Sequence, residues 1–322
     1  MPLANFSNLD FDQVKDTLQE YLKSNSNFTD YDFEGSNLSS ILDVLAYNTY
    51  ITSYNANMIT NEVFIDTATL RENVVSLARN IGYVPRSRQA ARATVTFFVD
   101  TSGITPSPAT LTLKKGPVAA SAASFGGQSF VFSILSDITV PVFNGIAEFN
   151  DVEVFEGTLL TQTFTYSSRI PNQKFILPNI GVDTDLVTVS VRPNEASTTE
   201  TKYSVQNSLF DVKSDSKVYY LQEVEDERYQ IFFGDGIFGK ALEDGNFITI
   251  NYIVSAGDAA NGLSSFNFAG RIQYTRSGST YNISSGISMM TTILSASGGE
   301  TIESVESVRK FAPRIYSSQN RA

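Results

Sequence analysis

Ala93-Thr94-Val95-Thr96-Phe97-Phe98-Val99 is the stretch on which the reading of the chain turns: Val95, Phe97 and Val99 alternate with Thr94, Thr96 and Phe98, the two-residue period of a half-buried strand. Before it the period is helical. In residues 10–22, Phe11, Val14, Leu18 and Leu22 recur at intervals of three and four, and Asp10 with Gln13 resembles a capping box. A second helix is expected after Gly35 and Ser36, with Leu38, Ile41, Leu42 and Leu45 as its aliphatic stripe, running to about residue 58. A third covers residues 67–81, with Leu70, Val74, Leu77, Ala78 and Ile81 on one face. Gly82 is expected as its left-handed C-terminal cap, and Pro85 forbids continuation.

Beyond the decisive stretch, alternating runs recur at residues 128–134, 152–155, 186–191, 217–222, 229–233 and 247–254, separated by Gly, Pro, Asn and Asp clusters. No segment between them carries the apolar helical period that a crossover between parallel strands needs, so a mainly antiparallel architecture is expected. Residues 103–127, rich in Ala, Ser, Thr, Pro and Gly, read as a low-complexity loop. After Gly298 and Gly299 the pattern turns helical again through Ile302, Val305, Val308 and Ala312 until Pro313 interrupts it. The expected class is α+β: a helical arm over residues 1–91, a β-rich domain over 92–297 and a helical segment over 298–322.

Composition bounds the chemistry. The 322 residues are 42% hydrophobic, ample for two packed domains. The chain has no Cys, His or Trp, which removes disulfides, thiolate or imidazole zinc sites, Ser-His-Asp triads and histidine acid–base catalysis. A net charge of −11, shared by both halves, disfavours a phosphate backbone as partner, so no nucleic acid is expected. No run approaches the roughly 18 apolar residues of a membrane span, and residues 1–8 lack the basic and apolar regions of a secretory signal.

Three segments imitate known sites. Gly234-Asp235-Gly236-Ile237-Phe238-Gly239-Lys240 satisfies both glycine-rich phosphate-binding patterns and follows the strand at 229–233, but position 241 is Ala where magnesium needs a hydroxyl. Only five residues then precede Gly245, too few for the helix whose free N–H groups would meet a phosphate. A tight turn is expected instead, with Gly234, Gly236 and Gly239 supplying positive φ, Asp235 capping locally and Lys240 solvated. Residues 30–35 open like a calcium loop but place Leu38 and Ile41 at its ninth and twelfth positions, so a turn and helix start is expected. Glu223, Glu225, Asp226 and Glu227 read as a solvated loop, and no metal or cofactor is expected. Tyr47, Tyr50, Tyr54 and Met58 extend the second helix as an aromatic ridge, either local core or a seam for another helix.

Taken together, three regions resemble the baseplate wedge proteins of contractile-tailed phages, related to the baseplate J-like proteins. The first runs through Asp30-Tyr31-Asp32-Phe33-Glu34-Gly35-Ser36-Asn37, Leu45-Ala46-Tyr47-Asn48, Asn61-Glu62-Val63-Phe64-Ile65-Asp66-Thr67-Ala68 and Gly82-Tyr83-Val84-Pro85. The second is Phe233 to Lys240 with the strand at 247–254 and Gly257-Asp258-Ala259-Ala260-Asn261-Gly262. The third is Ser297-Gly298-Gly299-Glu300, Glu303-Ser304 and Ala312-Pro313 through Gln319-Asn320-Arg321-Ala322.

The resemblance implies a structural virion protein of the tail baseplate, assembled in the host cytoplasm, with no enzymatic activity. It implies a helical bundle shared with a second copy of the chain and a large wedge subunit, with a sheath-like subunit and a small clamp subunit docking nearby. Adjoining wedges would close into a ring that rearranges before sheath contraction. The bundle seam would be Leu38, Ile41, Leu42, Leu45, Tyr47, Tyr50, Tyr54 and Met58. It further implies that the 298–322 segment leads into a C-terminal dimerisation domain that this chain does not carry. Two other readings remain: a nucleotide-binding enzyme using the 234–240 loop, and an independent β-rich adhesion or glycan-binding module.

Overall fold

The computed structural model describes residues 10–24, 37–121, 128–171, 173–206 and 212–319, and of residues 37, 38 and 315–319 the backbone alone. Its class is α+β, helices first, then antiparallel sheets, then one more helix. The chain divides into two compact units, Met1–Pro85 with Ser304–Ala322, and Arg86–Glu303.

The first unit holds α1 (Phe11–Ser24), α2 (Asn37–Glu62), α3 (Arg71–Asn80) and α4 (Val305–Gln319). α1 lies along α2, with Val14 and Leu42 buried and Lys15 Nζ 2.7 Å from the Asp43 carboxylate. Asp10 accepts from the adjacent Phe11 N–H at 2.7 Å, not across the capping-box spacing. α3 ends as its sequence predicts. Gly82 adopts φ +84°, its N–H donates to Arg79 O at 2.9 Å and the Tyr83 N–H reaches Ala78 O at 2.9 Å, which satisfies two terminal carbonyls.

The start of α3 is capped from a distance. Leu70 at its N-cap has no side chain for the task, and Glu62, the last residue of α2, accepts from the N–H groups of Thr69 (2.8 Å) and Leu70 (3.3 Å) and from Asn73 Nδ2 (2.7 Å). Burial pushes the Glu62 carboxyl up, but the bonds from Thr69, Asn73 and Leu70 outweigh it and hold the pKa at about 2. α4 packs on α3 through a small core of Ala68, Val74, Ala78, Val308 and Ala312, and the Arg309 guanidinium donates to the Ala68 carbonyl. The sequence pattern stops this helix at Pro313, yet it continues to Gln319. Pro313 is exposed, so its ring and the backbone bond it forfeits sit away from the side anchored by Val308 and Ala312.

The second unit is built from β1 (Arg92–Asp100), β2 (Thr110–Leu113), β3 (Gly116–Ser121), β4 (Val131–Ile134), β5 (Ile138–Phe143) and β6 (Ile146–Glu156). There follow β7 (Thr158–Thr165), β8 (Phe175–Ile176), β9 (Thr188–Arg192), β10 (Thr201–Val205), β11 (Val218–Glu223) and β12 (Tyr229–Phe233). β13 (Phe247–Val254), β14 (Phe266–Phe268), β15 (Ile272–Arg276), β16 (Ser279–Ile283) and β17 (Thr291–Ser297) complete it. One sheet runs β14-β3-β4-β6-β5-β2-β15-β16, with β1 paired to β6 and β17; the other runs β7-β13-β9-β10-β11-β12-β8. Among these pairings only β10 with β11 is parallel.

The low-complexity loop expected at 103–127 is corrected over its described residues, 103–121, which contain β2 and β3. β3 is built of small residues because it is buried between β14 and β4, where Gly116, Val118, Ala119 and Ser121 leave room for Phe132 and Phe266 to meet edge to face at 4.8 Å. The core of this sheet is a layer of Val95, Phe97, Phe149, Leu111, Leu113 and their neighbours; the second sheet has its own, around Tyr219, Ile231, Ile248, Ile250 and Tyr252.

Segments entering and leaving this unit run antiparallel. Gln89 and Glu300 exchange both backbone bonds (2.9 and 3.1 Å), and the Glu303 carboxylate accepts from the Arg86 N–H at 3.0 Å while its own N–H donates to Arg86 O. Two further buried carboxylates hold the joint between the sheets. Asp183 accepts from the Ala90 and Asp185 N–H groups, and Glu156 from Ser255 Oγ (2.6 Å) and the Ala256 N–H (3.0 Å). Burial pushes both pKa values up despite these bonds.

The cap on α3 makes acid sensitivity predictable. A folded-state pKa of about 2 lies below the ordinary glutamate value of 4.5, so the stabilisation is complete above pH 4.5 and is lost as pH falls toward 2. Glu62→Gln is expected to lower stability at pH 7 by about 1 kcal/mol and to flatten the loss of stability across that window. Urea titrations monitored by circular dichroism between pH 2 and 7 read both effects.

Candidate functional site

α2 is the longest described helix, at 26 residues, and its charged residues are Asp43 and Glu62 alone. At roughly 100° per residue, Leu42 and Ala46 fall on one narrow strip, and both are buried. Of the other described apolar side chains of α2, Tyr50 and Ile51 are half-buried and the rest are exposed. Ile41, Val44, Leu45, Tyr47, Tyr54, Met58 and Ile59 are exposed, Val44 at 67% and Ile59 at 68%, and Val63 and Phe64 continue the uncovered surface past the helix end.

Of the seam residues expected from sequence, Leu42 is taken up by packing inside the unit, Tyr50 is half-buried, and Ile41, Leu45, Tyr47, Tyr54 and Met58 face outward. The Leu38 side chain lies outside the described residues. The residues expected to form the seam do not share one side of the helix. Ile41 and Leu45 project from one side, whereas Tyr47, Tyr50, Tyr54 and Met58 form a ridge roughly 160° round the helix. Of two residues that sequence reasoning passed over, Ile59 lies with the first group and Val44 between the two. Their signal was available in the absence of charge from residue 44 to residue 61. α2 therefore exposes large apolar side chains on more than one side, interspersed with uncharged Asn, Ser and Thr. No described helix is long and apolar enough to cross a membrane.

The 234–240 loop is a turn after β12. Gly236 (φ +89°) and Gly239 (φ +96°) take the left-handed conformation, and Asp235 accepts from the N–H groups of Ile237 (2.9 Å) and Phe238 (2.8 Å), which hold its pKa down. Gly234 differs from its expected role. Its φ is not positive, and it is needed because a Cβ there would lie 2.2 Å from the backbone of Gly239. Lys240 is exposed, 3.6 Å from Glu243, and the N–H groups of Gly239 and Lys240 are spent on Lys213 O and Ser216 O. Those N–H groups are unavailable to a phosphate. The residues 30–35 lie outside the described ones, and among the described residues no three acidic side chains gather as a metal cage would require.

Comparison with known proteins fits this geometry. Residues 10–83 match the family described as baseplate wedge protein gp6-like, helical domain, a stretch that contains all of α2. The chain is 26% identical to baseplate wedge protein gp6 of Enterobacteria phage T4 over 97% of its own length and 47% of that protein's. It thus spans about half the length of this curated relative, and it resembles the baseplate wedge proteins along nearly all of its own. A chain in the baseplate of the anti-feeding prophage is matched over 99% of this chain and 62% of that one, at 13% identity and a TM-score of 0.30, too slight a likeness to argue from.

The turn's role is separable from ligand binding by two substitutions. Gly234→Ala is expected to destabilise the fold by about 1–3 kcal/mol through the forced clash with Gly239, and Lys240→Ala by no more than about 0.5 kcal/mol. Urea denaturation measures both, and micromolar binding of ATP or NAD abolished by Lys240→Ala would overturn the structural reading of the loop.

Proposed function

We propose that the chain is a structural subunit of a contractile-tail baseplate wedge, without enzymatic activity, and that α2 is an inner helix of a bundle completed by other chains. The observation that carries this reading is the set of large apolar side chains that α2 leaves exposed, Ile41, Val44, Leu45, Tyr47, Tyr54, Met58 and Ile59, on a helix with no charge between Asp43 and Glu62. A helix of this kind needs neighbours on more than one side, and the two faces suit two different ones. The Ile41, Leu45 and Ile59 face would take aliphatic side chains; the tyrosine ridge, with three hydroxyls, would take a partner offering acceptors. Burying each of these side chains contributes about 1.5–3 kcal/mol, enough in sum for stable association.

In this reading the partners are a second copy of the chain and a large wedge subunit in the bundle, with a sheath-like subunit and a small clamp subunit on the outer surfaces. The likeness of residues 10–83 to the wedge helical domain supports it. The site would be the virion tail baseplate, with assembly in the host cytoplasm. The sheets serve as a rigid body through which a rearrangement of the bundle is passed on. A nucleotide enzyme is less well supported, since the loop amides are already bonded. A glycan-binding module is too, since the described cavities of about 120 and 330 Å³ are lined by charged and small residues and a single Tyr, not by an aromatic platform.

Light scattering of the chain with its neighbouring tail proteins tests the proposal. A defined hetero-complex is expected, and Leu45→Asp with Tyr54→Asp should abolish it while leaving the melting temperature of the isolated chain within a few degrees, because both side chains are exposed in it. A chain that ignores every tail protein, or a complex indifferent to the double variant, would overturn the assignment of α2.

A further inference from the structure

We propose that Lys114, Lys115 and Arg271 form a carboxylate-docking notch, and that its occupant is the acidic turn at 225–227 of a second copy of this chain. The notch follows from topology. β2 and β3 lie in different arms of the first sheet, and the chain passes from one to the other through Lys114 and Lys115; β14 and β15 repeat the passage through Ala269, Gly270 and Arg271. The two crossings are bonded side by side, Lys114 N–H to Arg271 O at 2.9 Å and Ala269 N–H to Val118 O at 2.8 Å. Three cations thereby converge on one cavity of about 330 Å³, completed by Pro117, Ala269 and Gly270. The Gly270 backbone is pressed so closely on the Phe268 ring and Leu113 that a Cβ would lie 2.9 Å from the ring, which fixes the floor of the notch to the core.

Charge is left over there. Asp137 is the one carboxylate engaged, pairing with the Lys114 ammonium and accepting from the Lys115 N–H at 2.8 Å. Lys115 and Arg271 have no carboxylate within ion-pair distance among the described residues; the Lys115 ammonium has only the neutral Asn251 Oδ1 at 3.5 Å. Two positive charges therefore stand uncompensated on a chain whose net charge is −11.

The complement is on the same chain. The turn between β11 and β12 carries Glu225, Asp226 and Glu227 with one guanidinium, Arg228, 3.3 Å from Asp226, and so leaves two negative charges. Glu225 and Asp226 are exposed. One copy cannot satisfy itself: Lys115 borders β13, and β11 is three strands further along the second sheet, roughly 14 Å away at the ordinary strand spacing. A contact between different patches on two copies is head to tail, and it builds a ring or an open array according to its rotation. It involves none of the α2 residues.

Sedimentation velocity on the full chain tests it, in the parent and in the Leu45→Asp, Tyr54→Asp variant, so that failure of the α2 proposal leaves this test standing. At about 0.1 M salt the repulsion of the two acidic bodies is screened beyond roughly 10 Å while a direct ion pair survives. Association is expected there, weakening at about 0.5 M. Lys115→Glu with Arg271→Glu, and separately Glu225→Lys with Glu227→Lys, should each weaken it at least about tenfold. An equimolar mixture of the two variants should recover it, since the lysine turn of one then meets the glutamate notch of the other. Absence of self-association, indifference to either reversal, or loss without recovery in the mixture would each overturn the proposal.

Discussion

The antiparallel pairing of β1 with β6 is the constraint on which the β body depends. Partners run from Arg92 with Phe155 to Asp100 with Ile146, and every second residue of β1 from Ala93 to Val99 is buried. Phe97 stacks on Phe149 at 4.9 Å in the middle of this ribbon. A slip of one residue would turn Val95, Phe97 and Val99 outward together, so burial and register enforce each other. β6 is long enough to serve both arms of the sheet, taking β5 at its beginning and β4 at its end, while β1 takes β17 on its free side. The irregularity in the ribbon is local: Asp151 adopts φ +50° and donates its N–H to Thr96 Oγ1, which keeps the extra residue bonded.

A second requirement follows from joining two sheets with separate cores. At the joint, backbone N–H groups that sheet partners do not take are taken by buried carboxylates, Asp183 for Ala90 and Glu156 for Ala256, and Glu303 does the same for Arg86 where the chain enters the unit. Burying acids against backbone amides is costly without those bonds, and the raised pKa values of Glu156 and Asp183 record that cost. The same logic in the helical unit gives the opposite result at Glu62, where several donors converge on a carboxylate that remains partly solvated. Bond number and burial, not residue type, set the direction.

The candidate site was legible in part. Its location on the second helix follows from Leu38 to Met58 and from the lack of charge beyond Asp43, both plain in the residues. Its exposure was not. The spacing at 100° per residue already puts the aliphatic stripe and the tyrosine ridge on different sides, but only the packed helix shows Leu42 and Ala46 buried, Tyr50 half-buried and the others exposed. The glycine-rich turn shows the same division. Its inability to hold a phosphate was evident from Ala241 and the short spacing to Gly245, but the reason for Gly234, contact with Gly239 and not positive φ, depends on how the loop folds back.

By itself the sequence determined the switch from helical to two-residue period at residue 93, the end of α3 at Gly82, the antiparallel character of the sheets and the exclusion of histidine and cysteine chemistry. These are local matters of period, backbone freedom and composition, readable within a few residues. Tertiary structure alone decided that residues 116–121 are a strand paired on both sides, that α4 runs through Pro313 and packs on α3, that Glu62 caps a helix other than its own, and that Lys114, Lys115 and Arg271 meet. Small residues carry no hydrophobic period, a proline's tolerance depends on which side is anchored, and charges 156 residues apart meet only because β14 pairs with β3 and β15 with β2. Such pairings are properties of the assembled sheet, and no window of sequence contains them.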